Sequence, residues 1–414
     1  MKILIVNTSD TKGGAARAAY RLHRAFLFQG VDSQMLVQNK ISDDFTVISE
    51  CNKIKKYFNK FRPVIDSIPT RFYKTKTLFS PSWFRFNCVA DTINKINPDI
   101  VHLHWICEGM MSVEDIARIK APIVWSLHDN WAFTGGCHIM WDCEKYKNEC
   151  GGCPIIGSKK ENDLSKKVFR RKQKVFAKKK DITIVGLSRW LCDASKSSML
   201  LKDKKHINLP NPIDTNIFKP FDKETSRELW SLPKDKKIVL FGAMGGTDDI
   251  NKGFKELSEA LQKLKCKDVE FVIFGSGEPE NAPDFGFRTH YIGHLYDDVS
   301  LVTLYNAVDV MLVPSLQEAF GQTASESMAC GTPVVAFSHT GLLDIIDHKT
   351  NGYLAKPFDT LDLACGIEWI LSSKHYDELC VSARQKVLKK FDSVVVAKKY
   401  VEFYKEILSL PGGS

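Results

Sequence analysis

The sequence predicts an α/β fold made of two doubly wound parallel sheets. Three observations carry this. Short, wholly apolar strands alternate with helical stretches, the alternation restarts near residue 237, and 414 residues exceed what one ordinary core organises. Hydrophobic residues at 44% and charged ones at 26% are the proportions of a soluble globular protein. No run reaches the ~20 apolar residues of a membrane span. The opening Met1-Lys-Ile-Leu-Ile-Val-Asn-Thr-Ser-Asp10 breaks into polar residues without a cleavage site, so it reads as a buried strand and not a signal peptide. A cytoplasmic protein is expected.

Lys2 to Asn7 is the first strand, Thr11 to Gly14 a loop, and Ala15 to Gln29 a helix closed by Gly30. Pro98–His104, Ile123–His128 and Ile182–Ser188 are further buried strands. Ligands of open parallel sheets bind beyond the carboxyl ends of the strands, which places His104, His128 and Ser188 at a site edge. Leu209-Pro-Asn-Pro-Ile-Asp214 is a joint. Strands then follow at Lys237–Met244, Val269–Gly277, Thr289–Gly293, Val308 onward and Pro333 onward. The expected domains are 1–207, with a Cys-rich insert near 135–157, then 208–392, and a last helix over 393–414 that packs back on the first domain.

The window from Val308 to Phe337 is the most informative. An apolar strand enters a loop holding Glu318 and Gly321, then a small-residue helix holding Glu326, then Gly331 and a second strand. Two carboxylates flanking a helix start can grip hydroxyls on either side of a diphosphate held by the helix amides.

With Gly13-Gly14-Ala15, His128-Asp129, Asn211-Pro-Ile-Asp214, Asn251-Lys252-Gly253, Phe274-Gly-Ser-Gly277, Glu318/Glu326, Gly331-Thr-Pro-Val-Val and Gly352-Tyr-Leu in this order, the chain resembles the retaining glycosyltransferases of family four, of GT-B fold. The block His-Asp-Asn-Trp-Ala-Phe-Thr-Gly-Gly-Cys-His is similar to bacterial exopolysaccharide and lipopolysaccharide enzymes of the colanic-acid type. The resemblance implies two Rossmann-like domains facing across a cleft, the first binding the acceptor and the second a nucleoside-diphosphate sugar (UDP- or GDP-linked). It further implies transfer of a hexose to a lipid-linked or oligosaccharide acceptor, without a catalytic metal, at the inner face of a bacterial membrane.

The resemblance makes Glu326 the ribose contact and Glu318 a contact to the donor sugar, with the amides of Phe320, Gly321 and Gln322 facing hydroxyls or phosphate. Lys252 neutralises the departing pyrophosphate. Gly13 and Gly14 bring amides to the sugar or β-phosphate, with Arg17 one turn on and Gly277 at another strand tip. His128 lies near the donor sugar, and attack from the leaving group's own face is expected in place of a covalent Glu318 intermediate. Many relatives carry an arginine at the end of the first strand of the second domain. Here Phe241-Gly-Ala-Met-Gly-Gly stands instead, and the Gly245-Gly246 amides are the expected substitute as an anion nest. Asp248-Asp249 and Asp297-Asp298 lack the alternation that sets two carboxylates on one metal and read as surface pairs.

Cys137, Cys143, Cys150 and Cys153 crowd one Gly-rich insert, whereas the other eight cysteines are scattered as packing thiols. Four thiols in a reducing compartment favour a metal over disulfides. A structural zinc on four thiolates is the reading taken, with His138 as a spare ligand; an iron–sulfur centre and a metal-free cluster are the alternatives. The net charge of +9 is clustered. Lys53, Lys55, Lys56, Lys60, Arg62, Arg71, Lys74, Lys76 and Arg85 interleave with Tyr57, Phe58, Phe61, Phe72, Tyr73, Phe79, Trp83 and Phe84, and a second basic run spans Lys159 to Lys180. The first suits an anionic bilayer surface or, equally, solvated helices. Other classes consistent with these features are a zinc-containing nucleic-acid-binding protein and a catalytically inactive sugar-binding paralogue. The basic residues do not alternate with a zinc-finger helix, so no nucleic-acid partner is expected.

Overall fold

Short apolar strands, each followed by a helical crossover, bury both faces by pairing in parallel. The structure, a computed structural model, describes residues 1–49, 59–85, 89–242, 245, 249–266, 268–280 and 282–409. Its strands form two parallel sheets in two separate units. The first unit is Met1–Pro210 with the chain from Val396 onward; the second is Asn211–Val395. The division falls inside the proline-punctuated joint.

In the first unit β1 (Lys2–Ser9), β2 (Asp32–Asn39), β3 (Val47–Ile48), β4 (Ile100–Leu103), β5 (Ile123–Leu127), β6 (Ile182–Gly186) and β7 (Lys205–Asn208) take the order β3-β2-β1-β4-β5-β6-β7. In the second, β8 (Lys237–Gly242), β9 (Val269–Phe274), β10 (Thr289–Gly293), β11 (Val310–Val313), β12 (Val334–Phe337) and β13 (Gly352–Ala355) take the order β10-β9-β8-β11-β12-β13. Strand order reverses between β1 and β4 in one sheet and between β8 and β11 in the other. At such reversals the loops after neighbouring strands diverge and leave a crevice.

The helix Ser393–Ser409 belongs to the first unit's core although it follows the second unit in sequence. Val396, Ala397, Tyr400, Phe403 and Tyr404 recur at helical spacing and are buried with Ile3, Ile5 and Phe26. Full burial of each large apolar side chain contributes about 1.5–3 kcal/mol. The two tyrosine hydroxyls do not go unpaired: Tyr404 meets His102 Nδ1 at 2.6 Å and Tyr400 meets Ser126 Oγ at 3.1 Å. No helix among the described residues is long and apolar enough to cross a membrane.

His23 and His102 are both fully covered. His23 lies between Ser33 and Thr46 hydroxyls at 2.8 and 2.7 Å, and His102 between Ser126 and Tyr404. Burial pushes the His23 imidazole down to about 4 and the His102 imidazole down to about 3. Unfolded, each titrates near ~6.5. Between those values the unfolded chain holds the proton and the folded chain does not, so stability falls as pH drops from about 6.5 to about 4 for His23 and to about 3 for His102. Each contributes about 1.4 kcal/mol per pH unit within its window. Urea unfolding followed against pH is expected to show this decline, and His102→Gln to remove about one proton from its slope. A midpoint that stayed level through the mildly acidic range would contradict the assignment.

Candidate functional site

In the second unit the loops after β8 and β11 meet at the reversal of strand order. Gly253 sits in the left-handed region at φ 69°, where a Cβ would stand 2.0 Å from the Pro314 carbonyl oxygen. Only glycine fits that approach. Asn251 completes the junction, its Nδ2 donating to Gln317 O at 2.8 Å and its carbonyl accepting from Leu316 N at 2.9 Å. So joined, the loops bring Lys252 Nζ to 2.8 Å from Glu318 Oε1, and Ser315 Oγ donates to the same oxygen at 2.9 Å. The loop after β12 fixes the glutamate's backbone: Glu318 N donates to Thr340 Oγ1 and Gly341 N to Glu318 O, both at 2.9 Å. Burial acts to lower the pKa of Lys252, but the charge and hydrogen bond of Glu318 outweigh it and hold the ammonium above the ordinary lysine value. Two residues expected to take different parts of one ligand are thus partners of each other.

The helix Gln322–Ala329 starts at Gly321, at φ 102°, with no side-chain cap on its first-turn amides. Those N–H groups and the helix dipole favour an anion. Phe320 contributes packing through its side chain, which lies edge-on to Phe391 at 5.4 Å. Glu326 differs from the expectation of an open carboxylate. It is 3% exposed, Oε2 accepting from the Tyr305 hydroxyl at 3.1 Å and Oε1 from Gln322 Nε2 at 3.4 Å. Asn211 Nδ2 in turn reaches Gln322 Oε1 at 3.4 Å. Gly277 is exposed, with open space where a Cβ would stand. Gly245 corrects the anion-nest expectation, because its N–H already donates to the Gly275 carbonyl at 3.0 Å; Gly246 lies outside the described residues. Asp249 and Asp297 are not merely surface charges: each caps a helical turn, accepting from Asn251 N at 2.9 Å and from Ser300 N at 2.7 Å. Asp248 lies outside the described residues.

In the first unit Gly13, at φ 94°, precedes the helix Gly14–Phe28, and Arg17 N donates to its carbonyl at 3.0 Å. Neither Gly13 nor Gly14 has atoms where a Cβ would stand, so backbone is open to approach at both. The tips of β1 and β4 are tied by Thr8 N to Trp105 O and Trp105 N to Asn7 Oδ1, both at 2.8 Å. His128 is half-buried, its Nε2 2.8 Å from His104 Nδ1, and burial pushes its pKa down, so the ring stays neutral. Ser188 is corrected from site edge to helix cap: it is fully buried, and its Oγ accepts from Leu191 N at 3.3 Å.

His138 is likewise corrected as a spare metal ligand. Its Nδ1 meets Asp129 Oδ2 at 2.6 Å and its Nε2 meets Ser80 Oγ at 2.8 Å, so both ring nitrogens are committed. This chain has the connectivity of a Ser-His-Asp triad, but Ser80 and His138 are each 4% exposed, which makes it a buried polar tie. Sequence reasoning missed Ser80, Tyr305, Ser315 and Thr340, and no local motif marks any of them. Asn251 was visible within Asn251-Lys252-Gly253.

Cys137, Cys143, Cys150 and Cys153 line one small cavity as free thiols. The basic runs disperse. Lys53, Lys55, Lys56, Tyr57 and Phe58 lie outside the described residues, Arg62 is buried against Gln38, and Arg85 pairs with Asp115 at 3.3 Å. Phe79 is buried, while Phe61, Phe72, Trp83 and Phe84 are exposed. In the second run Lys166 and Arg170 pair with Glu149, and Lys172 is fully buried.

Residues 222–387 match the family model described as glycosyl transferases group 1. An uncharacterized glycosyltransferase of Methanocaldococcus jannaschii is 32% identical over 49% of this chain; the match spans 53% of that protein, about half its length. A protein of Escherichia coli named "Putative colanic acid biosynthesis glycosyl transferase WcaC" is 22% identical over 98% of this chain and 100% of its own. The solved structure of HepE from Anabaena, in complex with UDP and glucose, aligns with a TM-score of 0.63 at 16% identity, covering 99% of this chain and 100% of that one. That likeness shows the GT-B fold.

Gly253→Ala is expected to push the two loops apart, because strain at φ > 0 adds to the overlap with Pro314; the cost is about 1–3 kcal/mol. Thermal unfolding should report the loss. Unchanged stability would show that the loops do not depend on this approach.

Proposed function

We propose that the chain is a retaining glycosyltransferase that moves a hexose from a UDP- or GDP-linked donor to a glycan or lipid-linked acceptor. Its setting is surface-polysaccharide assembly at the cytoplasmic face of a bacterial membrane. The observation that carries this reading is the Lys252–Glu318 pair at the strand-order reversal of the second sheet, beside the uncapped helix start at Gly321. Both residues fall within the segment that the group 1 family model matches. The full-length match to the colanic-acid protein supports the polysaccharide setting, and the UDP complex of HepE supports a nucleotide-linked donor.

In this proposal Lys252 and the first-turn amides stabilise charge as the anomeric C–O bond to the diphosphate breaks. The new C–O bond forms to the acceptor hydroxyl on the same face, its proton passes to a phosphate oxygen, and the nucleoside diphosphate leaves. Glu318 holds Lys252 in position and turns its free oxygen to a sugar hydroxyl. Glu326 would take the ribose hydroxyls by exchanging its bond to Gln322, which is longer than its bond to Tyr305. His128, neutral, offers a hydrogen bond to the sugar without adding charge, while Gly13 and Gly14 leave backbone open beside it.

Lys252→Ala and Glu326→Ala are each expected to cut transfer about tenfold to hundredfold, the loss of one charge-assisted contact. Their far-ultraviolet circular dichroism should remain that of the parent. UDP or GDP should raise the melting temperature of the parent and raise that of Lys252→Ala less. Turnover of a panel of UDP-, GDP- and ADP-sugars identifies the donor. Undiminished turnover in both variants would place the reaction elsewhere.

A further inference from the structure

We propose that Cys137, Cys143, Cys150 and Cys153 hold one zinc ion as four thiolates, stapling a stretch that lacks regular structure of its own. Between Gly135 and the helix Leu164–Lys178 the described chain forms one 3₁₀ turn, Lys145–Lys147, and an isolated β-bridge from Cys137 to Phe79. Three of the four cysteines are nonetheless 5–7% exposed, and all four line a single cavity. Its volume is about 10 Å³, the room of one water-sized sphere, which suits a single ion better than a multi-iron cluster.

The groups facing the sulfurs are donors. The Gly135 N–H is directed at Cys150 and the N–H groups of Ile155 and Ile156 at Cys153. A thiol needs an acceptor for its own proton, whereas a thiolate shared with a metal accepts from such donors. The backbone is shaped for the approach. A Cβ on Gly135 would stand 2.8 Å from that of Cys150, and Gly152, between the last two cysteines, takes φ 52°.

Charge balance points the same way. Four thiolates around Zn²⁺ carry a net charge of −2. Lys145 lines the cavity, its Nζ donating to Gly151 O at 2.6 Å and Gly152 O at 3.0 Å. Lys172 is fully buried, its ammonium held by the carbonyls of Trp131 and Thr134 and by the Trp131 ring at 3.6 Å. Burying a cation without an anion nearby is costly; Asp129 acts on Lys172 already, and thiolates at Cys137 and Cys150 would add to it. His138 is committed to Asp129 and Ser80, which leaves an all-sulfur set. As they stand, no group of three or more His, Cys, Asp or Glu among the described residues is placed to hold a metal ion, so the four sulfurs must move to reach one. Binding therefore exchanges four thiol protons for one cation and pulls the sulfurs inward.

The test uses the full chain purified without chelator. Elemental analysis should find about one zinc per chain, released in step with an organomercurial that titrates four thiols. Cys150→Ser and Cys153→Ser should lose the zinc, while Cys365→Ser, at an exposed cysteine away from the insert, should keep it. Should the serine variants fail to fold, cobalt substitution of the parent provides the second readout, a sulfur-to-cobalt charge-transfer band with the intense visible bands of a tetrahedral site. Protein without a transition metal, whose four thiols react freely with a disulfide reagent in the native state, would overturn the proposal. So would iron with a cluster chromophore in place of zinc.

Discussion

The contact between Lys252 and Glu318 rests on a missing atom. Without the bare Cα of Gly253 against the Pro314 carbonyl, the loops after β8 and β11 could not share Asn251, and the two charges would not meet at 2.8 Å. The pairing also limits the lysine. A carboxylate at that distance cancels much of the ammonium's field, so any incoming anion must compete with Glu318 for the same three donors. A ligand carrying more negative charge than one carboxylate wins that competition, while a neutral one does not. The arrangement thus favours a charged ligand over a neutral one.

The first unit's interior is polar in a way that its strands' composition conceals. His102, Ser126, Tyr400 and Tyr404 form one connected set under the sheet, and His104 continues towards His128 at the strand tips. Each member supplies the partner that burial of another demands. Neutral imidazoles suit this role because they both donate and accept. The network fixes ring orientation at the tips, where an unanchored side chain would sample several rotamers.

Much of the architecture was legible because strand length, apolar runs and Pro-rich punctuation are local signals. The restart at Lys237, the joint at Leu209 and the glycine before the first long helix needed no tertiary information. Several of the errors share one cause, a partner remote in sequence. Ser80 lies 58 residues from His138, and Tyr305 lies 21 from Glu326. Nothing local to Gly245 marks the Gly275 carbonyl that occupies its N–H. In the basic run after Lys159, the pairing to Glu149 and the buried setting of Lys172 are not visible in its composition. Residue type and spacing placed the strand tips; which atom faces which was decided by packing.

The last helix has a consequence for the order of synthesis. Tyr400, Phe403 and Tyr404 fill the layer over Ile3, Ile5 and Phe26, yet the ribosome makes them after nearly four hundred other residues. While the second unit is being translated, the nascent first sheet stays uncovered on that side, an apolar surface open to chaperones and to neighbouring chains. Closure waits until that helix has been made, so the amino-terminal unit begins folding before the second and completes it after.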